Sequence, residues 1–313
     1  MQRWLLIILM IFPMVRSFAQ LAEPSPAKVS QGQLWRIPDF PSQYVQKRNI
    51  DIWLPPGYDP ETRYPVLYMH DGQMLFDSTT TWNKQEWQVD EVAGTLIGKG
   101  ELPSFIIVGV WNVPQIRHTD YFPQKPFELL TPDQQDSLYQ ANRTTGASVF
   151  GKQKVHSDDY LRFLVRELKP YIDRNYPTKP GRSHTYIAGS SMGGLISLYA
   201  ICEYPEVFGG AACLSTHWPG IFSMENNPIP ATFFYYLSTR LPDPHTHRLY
   251  FDYGDQTLDA LYPPLQQEAD RILFEKGFTP GKNWVTQFFP GEDHSEKAWA
   301  KRLNQPLKFL LQQ

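Results

Sequence analysis

Two adjacent serines, Ser190 and Ser191, stand among glycines in "AGSSMGG". A strand-like run, "HTYIAG", leads into them, and a helix-like run, "LISLYA", follows. A Gly-x-Ser-x-Gly frame between such signals makes a sharp turn that holds one hydroxyl clear of a sheet. In Gly189-Ser190-Ser191-Met192-Gly193 the central residue is Ser191, and Ser190 takes a variable position. Gly189, Gly193 and Gly194 leave room for strand and helix to approach. A helix starting near Met192 turns its free N–H groups toward the place where an oxyanion would develop. Ser191 is therefore the candidate nucleophile; a glycine-rich packing turn is the plain alternative.

A serine hydroxyl needs a base. Of eight histidines, His294 lies in "FFPGEDHSEKAWAKRL", just past the last strand-like run and before a C-terminal helical run. In a doubly wound sheet that loop falls at the carboxyl edge, beside the serine turn. His217 also follows a strand and reads as pocket lining. His245 and His247 share a Pro-rich loop with no further ligand nearby, so no metal site is expected there. The orienting acid should lie between serine and histidine, after a strand. "RLYFDYGDQTLDALYPP" offers Asp255 directly behind Gly254, and Asp259 at the loop end. The greater reach of a loop-end residue favours Asp259, with Asp255 the alternative; either also suits a turn or helix cap.

These residues need a sheet to present them. "PVLYMHDG" and "SFIIVGVWN" are near-continuous apolar runs of strand length, as in parallel strands covered on both faces. "VQKRNIDIWLP", "HTYIAG", "VFGGAACLS", "RLYFDYG" and "WVTQFFPG" are further strands. "WQVDEVAGTLIGKG" fits a crossover helix, and Leu161, Leu164, Leu168 and Ile172 share one face of another. Strand and helix alternate without an internal repeat, which predicts an α/β fold with an open, mostly parallel, doubly wound sheet and helices on both faces. Residues from about 117 to 156, rich in Gln, Pro, Thr and Ser, read as a loop-rich insertion over the active-site edge.

The 313 residues suffice for one such domain, expected over 33–313. A net charge of -3 and the lack of a basic run with interleaved aromatics argue against a nucleic-acid partner. At the N-terminus, Arg3, an apolar run from Trp4 to Val15 and Ser17-Phe18-Ala19 have the layout of a secretory signal over residues 1–19. Cleavage near Ala19 would leave an extended lead-in over 20–32 and a secreted or periplasmic protein without a stable membrane anchor. Cys202 and Cys213 sit in apolar runs and read as buried free thiols.

Taken together, "YPVLYMHDGQMLFD", "GSSMGGLISLYA", "YPEVFGGAACLS" and "PGEDHSEKAW" resemble the esterase D-like family of α/β-hydrolases, which includes feruloyl and acetyl-xylan esterases, siderophore esterases and mycolyl transferases. The resemblance runs from about Tyr44 to the C-terminus. It implies the α/β-hydrolase fold, with Ser191 as nucleophile and His294 as base. Many relatives carry the acid close behind the glycine; here the loop is longer, and the choice between Asp255 and Asp259 stays open. The HDG segment resembles the loop giving the second oxyanion N–H, which points to Gln73 beside Met192. No metal or organic cofactor is implied. The expected activity is carboxylic-ester hydrolysis through an acyl-enzyme, on a small-molecule or glycan ester, acetylated or feruloylated glycans among them. An acyltransferase on the same residues and a non-catalytic glycan-binding module are the alternatives. Trp111, Arg117 and Trp218 follow strands and are candidate substrate contacts, a flat ring for a sugar or aryl group and a guanidinium for an anion.

Overall fold

The structure, a computed structural model, describes residues 21–143 and 145–312; the expected signal segment lies outside them. Nine strands form one sheet in the order β1-β2-β3-β5-β4-β6-β7-β8-β9. The first three, β1 (Glu23–Pro24), β2 (Gln33–Phe40) and β3 (Arg48–Leu54), are antiparallel. β3 also runs antiparallel to β5 (Ile106–Val110). From β5 onward, β4 (Val66–His70), β6 (Thr185–Ser190), β7 (Gly210–Leu214), β8 (Arg248–Tyr253) and β9 (Trp284–Phe288) are parallel. The central strands β4, β5, β6 and β7 are buried at every position, because helices cover both faces. β9, at the edge, is buried only at Trp284.

The crossover helix between β4 and β5 spans Val89–Gly98. The amphipathic helix runs from Ser157 to Asn175 and widens into a π stretch over Phe163–Leu168. That widening sits just before Pro170, which has no N–H to give and whose ring would crowd the preceding turn. Two features differ from the sequence expectation. β2 forms although Pro38 interrupts its pattern: the register shifts between Ile37 and Phe40, and Asp39 adopts a φ of 48°. The bulge takes up the residue that cannot donate to the ladder. The insertion is also more ordered than its composition suggests, with helices at Arg117–Tyr121, Gln124–Glu128 and Pro132–Tyr139. Phe122, Phe127 and Phe150 anchor it by packing edge and face against one another in the main core. Cys202 and Cys213 are buried free thiols, and burial pushes both above their ordinary pKa.

Candidate active site

The carboxyl ends of β4 to β9 meet at a cleft of about 480 Å³ lined by Ser191 and His294. Strained backbone clusters there: Asp71 after β4, Ser191 after β6, Ser215 after β7 and Thr257 after β8 all have positive φ without being glycine. Ser191 has φ 56° and ψ -123° and caps the helix Met192–Glu203. Its N–H donates to the Leu214 carbonyl at 2.9 Å, and its carbonyl accepts from Leu195 and His217, so the turn is fixed on three sides. A Cβ on Gly189 would come within 2.6 Å of the Gly193 carbonyl carbon, which is why that position must be glycine. Met192 opens the helix, where N–H groups have no partner within it.

His294 precedes the helix Glu296–Arg302. Its Nδ1 lies 2.6 Å from Asp259 Oδ1. The ring is wedged between the edges of Trp299 and Tyr262, with centroids 5.0 and 5.9 Å away. Asp259 is fully buried, and its second oxygen accepts from the Gly254 N–H at 2.7 Å and the Ser215 hydroxyl at 2.6 Å. Burial pushes the Asp259 carboxyl up, but the His294 contact and these donors outweigh it and hold the group below its ordinary pKa. Ser215 Oγ in turn accepts from Trp299 Nε1 at 2.9 Å and Arg302 Nη2 at 2.8 Å, so its own proton is left for Asp259. The same Arg302 nitrogen is 2.9 Å from Asp252, whose carboxyl burial raises to about 6 against the pull of that arginine. Asp255 is placed elsewhere: it accepts from the Gly291 N–H at 2.8 Å and pins the turn ahead of His294. Of the two aspartates open in the sequence, Asp259 is the one touching the histidine.

Gln73 lies in the short helical turn Gly72–Met74 after β4 and lines the cleft. Its side-chain Oε1 accepts from the Asn112 N–H at 3.1 Å. Arg117 lines the cleft too, but its guanidinium is clamped by both Asp71 oxygens at 2.7 Å. Burial pushes the Asp71 carboxyl up, and the Arg117 charge, with the Arg117 and Asn112 hydrogen bonds, overcomes this and holds it low. Two of the expected substrate contacts do not reach the cleft. Trp218 is 0% exposed, stacks on Phe251 and donates Nε1 to Gln266 at 3.0 Å, a bond the distant glutamine made invisible in the sequence. Trp111 is held behind the HDG loop, under the Arg36 guanidinium and bonded to Asp51 at 2.8 Å. His217 is buried behind the serine, with Nδ1 2.9 Å from the Tyr262 hydroxyl, which in turn touches Ser191. Burial pushes the His217 pKa well below its ordinary value, so this ring is neutral.

Several cleft residues carry no motif that the sequence reading could use: Trp82, Arg143, Phe222, Leu258 and Trp299. Trp82 is 83% exposed, a large apolar ring left in water at the rim. Among the described residues no group of three or more His, Cys, Asp or Glu side chains is placed to hold a metal ion.

A family model described as "Putative esterase" matches residues 42–310. The chain belongs to that family. It is a carboxylic-ester hydrolase of the α/β-hydrolase type. YbbA, an uncharacterized protein of Bacillus subtilis (strain 168), is 24% identical over 270 residues, 84% of this chain and 92% of that one. An endo-1,4-beta-xylanase/feruloyl esterase of Xylanibacter ruminicola is 26% identical over 199 residues, 60% of this esterase and 22% of that protein. A ferulic acid esterase from Anaeromyces mucronatus shares the fold with a TM-score of 0.60 at 19% identity, over 90% of this chain and 91% of that one.

Proposed function

We propose that this esterase is exported and hydrolyses acetylated or feruloylated glycans through Ser191, His294 and Asp259. The observation that carries the reading is the 2.6 Å contact between His294 and a buried, ionised Asp259, in a cleft that also holds the hydroxyl of a strained serine turn. Asp259 fixes the ring with its Nδ1 proton inward, which leaves Nε2 free as a base. Nε2 takes the Ser191 proton as Oγ attacks the ester carbonyl. The oxygen that becomes negative is held by the N–H groups of Met192 and Gln73. His294 then protonates the departing alkoxide. Water, deprotonated by the same nitrogen, cleaves the acyl-enzyme and returns the proton to Ser191. Asp259 stays ionised throughout and stabilises the imidazolium.

The glycan part of the proposal rests on the exposed Trp82 ring at the cleft rim, a flat apolar face of the kind that stacks on sugars, and on the feruloyl esterases among the similar proteins. The export part rests on Arg3, the apolar run Trp4–Val15 and the small residues before Gln20. Among the described residues no helix is long and apolar enough to cross a membrane. The deciding experiment is hydrolysis of p-nitrophenyl acetate by the full chain and its Ser191→Ala variant. Turnover by the first and not the second is expected; equal rates would remove Ser191 from the chemistry.

A further inference from the structure

Arg117 is the arginine that the sequence marks for an anion, yet Asp71 already neutralises it. A second arginine on the same cleft has no such partner. Arg143 projects from a small turn of the insertion, fixed by its N–H to the Ala147 carbonyl at 2.8 Å and the Gly146 N–H to its own carbonyl at 2.8 Å. Just beyond, Asn142 and Ser148 pair as a bridge, and Phe150 roots the segment in the core. The guanidinium lies 4.9 Å above the ring of Phe222, which is 41% exposed and lines the cleft beside it. Among the described residues no carboxylate comes within 4.0 Å of Arg143. Burial, then the positive charge of Arg117, push its pKa below the ordinary arginine value. Arg143 is itself exposed at the cleft, so its guanidinium is open to a solute, and a bound anion would offset its repulsion with Arg117.

The acid on the cleft that could oppose this is accounted for. Glu296 accepts from Asn83 Nδ2 at 2.9 Å and acts on Arg117. That leaves Arg143 as the guanidinium on this cleft with no carboxylate paired to it, over an open aromatic face.

We infer that Arg143, seated on Phe222, is the receptor for a carboxylate carried by a non-reacting part of the ester. The inference rests on the reading of this cleft as the ester-binding site. A guanidinium binds a carboxylate through two parallel N–H bonds, and a charge-assisted bond of this kind is worth roughly a factor of 10 or more in affinity. The carboxylate has two chemical sources, the acyl chain or the alcohol, and matched esters separate them. p-Nitrophenyl hemisuccinate against p-nitrophenyl butyrate reads the acyl side; 4-acetoxybenzoate against phenyl acetate reads the alcohol side.

The quantity to measure is the ratio of kcat/KM, charged over neutral, for each pair, in the wild-type chain and in Arg143→Gln and Arg143→Glu. We expect the wild type to favour the charged member of one pair by about 10-fold, Arg143→Gln to bring that ratio near one, and Arg143→Glu to invert it. Added salt should lower the wild-type ratio and leave the Gln variant's ratio unmoved. Ratios of one or below in both wild-type pairs, or a preference that survives Arg143→Gln, would overturn the assignment. Should no ester be turned over, the hydrolase mechanism fails by itself, and calorimetry then decides the receptor. Tighter binding of 4-acetamidobenzoate than of acetanilide, lost in Arg143→Gln, supports it; equal binding overturns it.

Discussion

The two walls of the cleft are built on different terms. In the wall formed by the ends of β6, β7, β8 and the loop after β9, the groups behind His294 are bonded in advance: Asp259 holds three donors, and Ser215 uses its proton and accepts two more. The wall formed by the insertion and the rim presents Trp82 and Phe222 to water and leaves Arg143 without an acid. A reacting group gains from being fixed before the substrate arrives, because reorganisation then costs nothing during the reaction. A recognition group gains from being unsatisfied until the substrate supplies its partner. On the proposed mechanism, the difference divides chemistry from selection on one sheet edge.

Substitutions should show that separation, and the largest effect belongs to the matched wall. Asp259→Asn is expected to lower kcat by about 10³–10⁴-fold, since an amide cannot hold the His294 tautomer or its charge. Asp255→Asn, on the same loop, should lose far less; parity between the two would collapse the assignment of the acid. Ser215→Ala removes one donor from Asp259, leaves Trp299 Nε1 without its acceptor and leaves Arg302 with Asp252 alone. A drop of about 10-fold in kcat is expected, with KM little changed. The acid limb of the kcat/KM profile should move to higher pH, because a carboxylate with fewer donors stabilises the imidazolium more. A purely structural role would lower Tm and leave the limb in place.

On the open wall the effects are smaller and fall on binding. Trp82→Ala should raise KM for a feruloylated oligosaccharide by about 3-fold or more while changing p-nitrophenyl acetate kinetics less. Equal losses on both substrates would place Trp82 with the catalytic wall. A further effect falls on stability and leaves the chemistry untouched. Burial raises the Asp252 carboxyl from 3.8 to about 6. A raised acid binds its proton more tightly when folded, so stability from this group falls as pH climbs from about 4 to about 6, by on the order of 1–3 kcal/mol. Thermal melts of Asp252→Asn across that range should show a flatter slope than the wild type. An unchanged slope would mean that the Arg302 pair keeps Asp252 ionised after all.

The sequence alone settled what is local and periodic. Ser191 was legible because glycine spacing, a strand run and a helix run coincide within about twenty residues, each a short-range signal. The central strands were legible because burial on both faces demands unbroken apolar runs, and His294 because sheet topology puts the loop after the last strand at the same edge. The tertiary structure decided what depends on distant partners. Asp259 and Asp255 lie four positions apart, and only the folded loop shows which carboxyl meets Nδ1 and which ties down Gly291. Trp218 carried the look of a site residue until Gln266 claimed its indole, and Arg117 that of an anion receptor until Asp71 took its Nε and Nη2 as a bidentate partner. Charge and burial are properties of neighbourhoods, and for these side chains the neighbours come from up to 48 residues away. The residue types were written in the chain; their partners were set by the packing of the sheet edge.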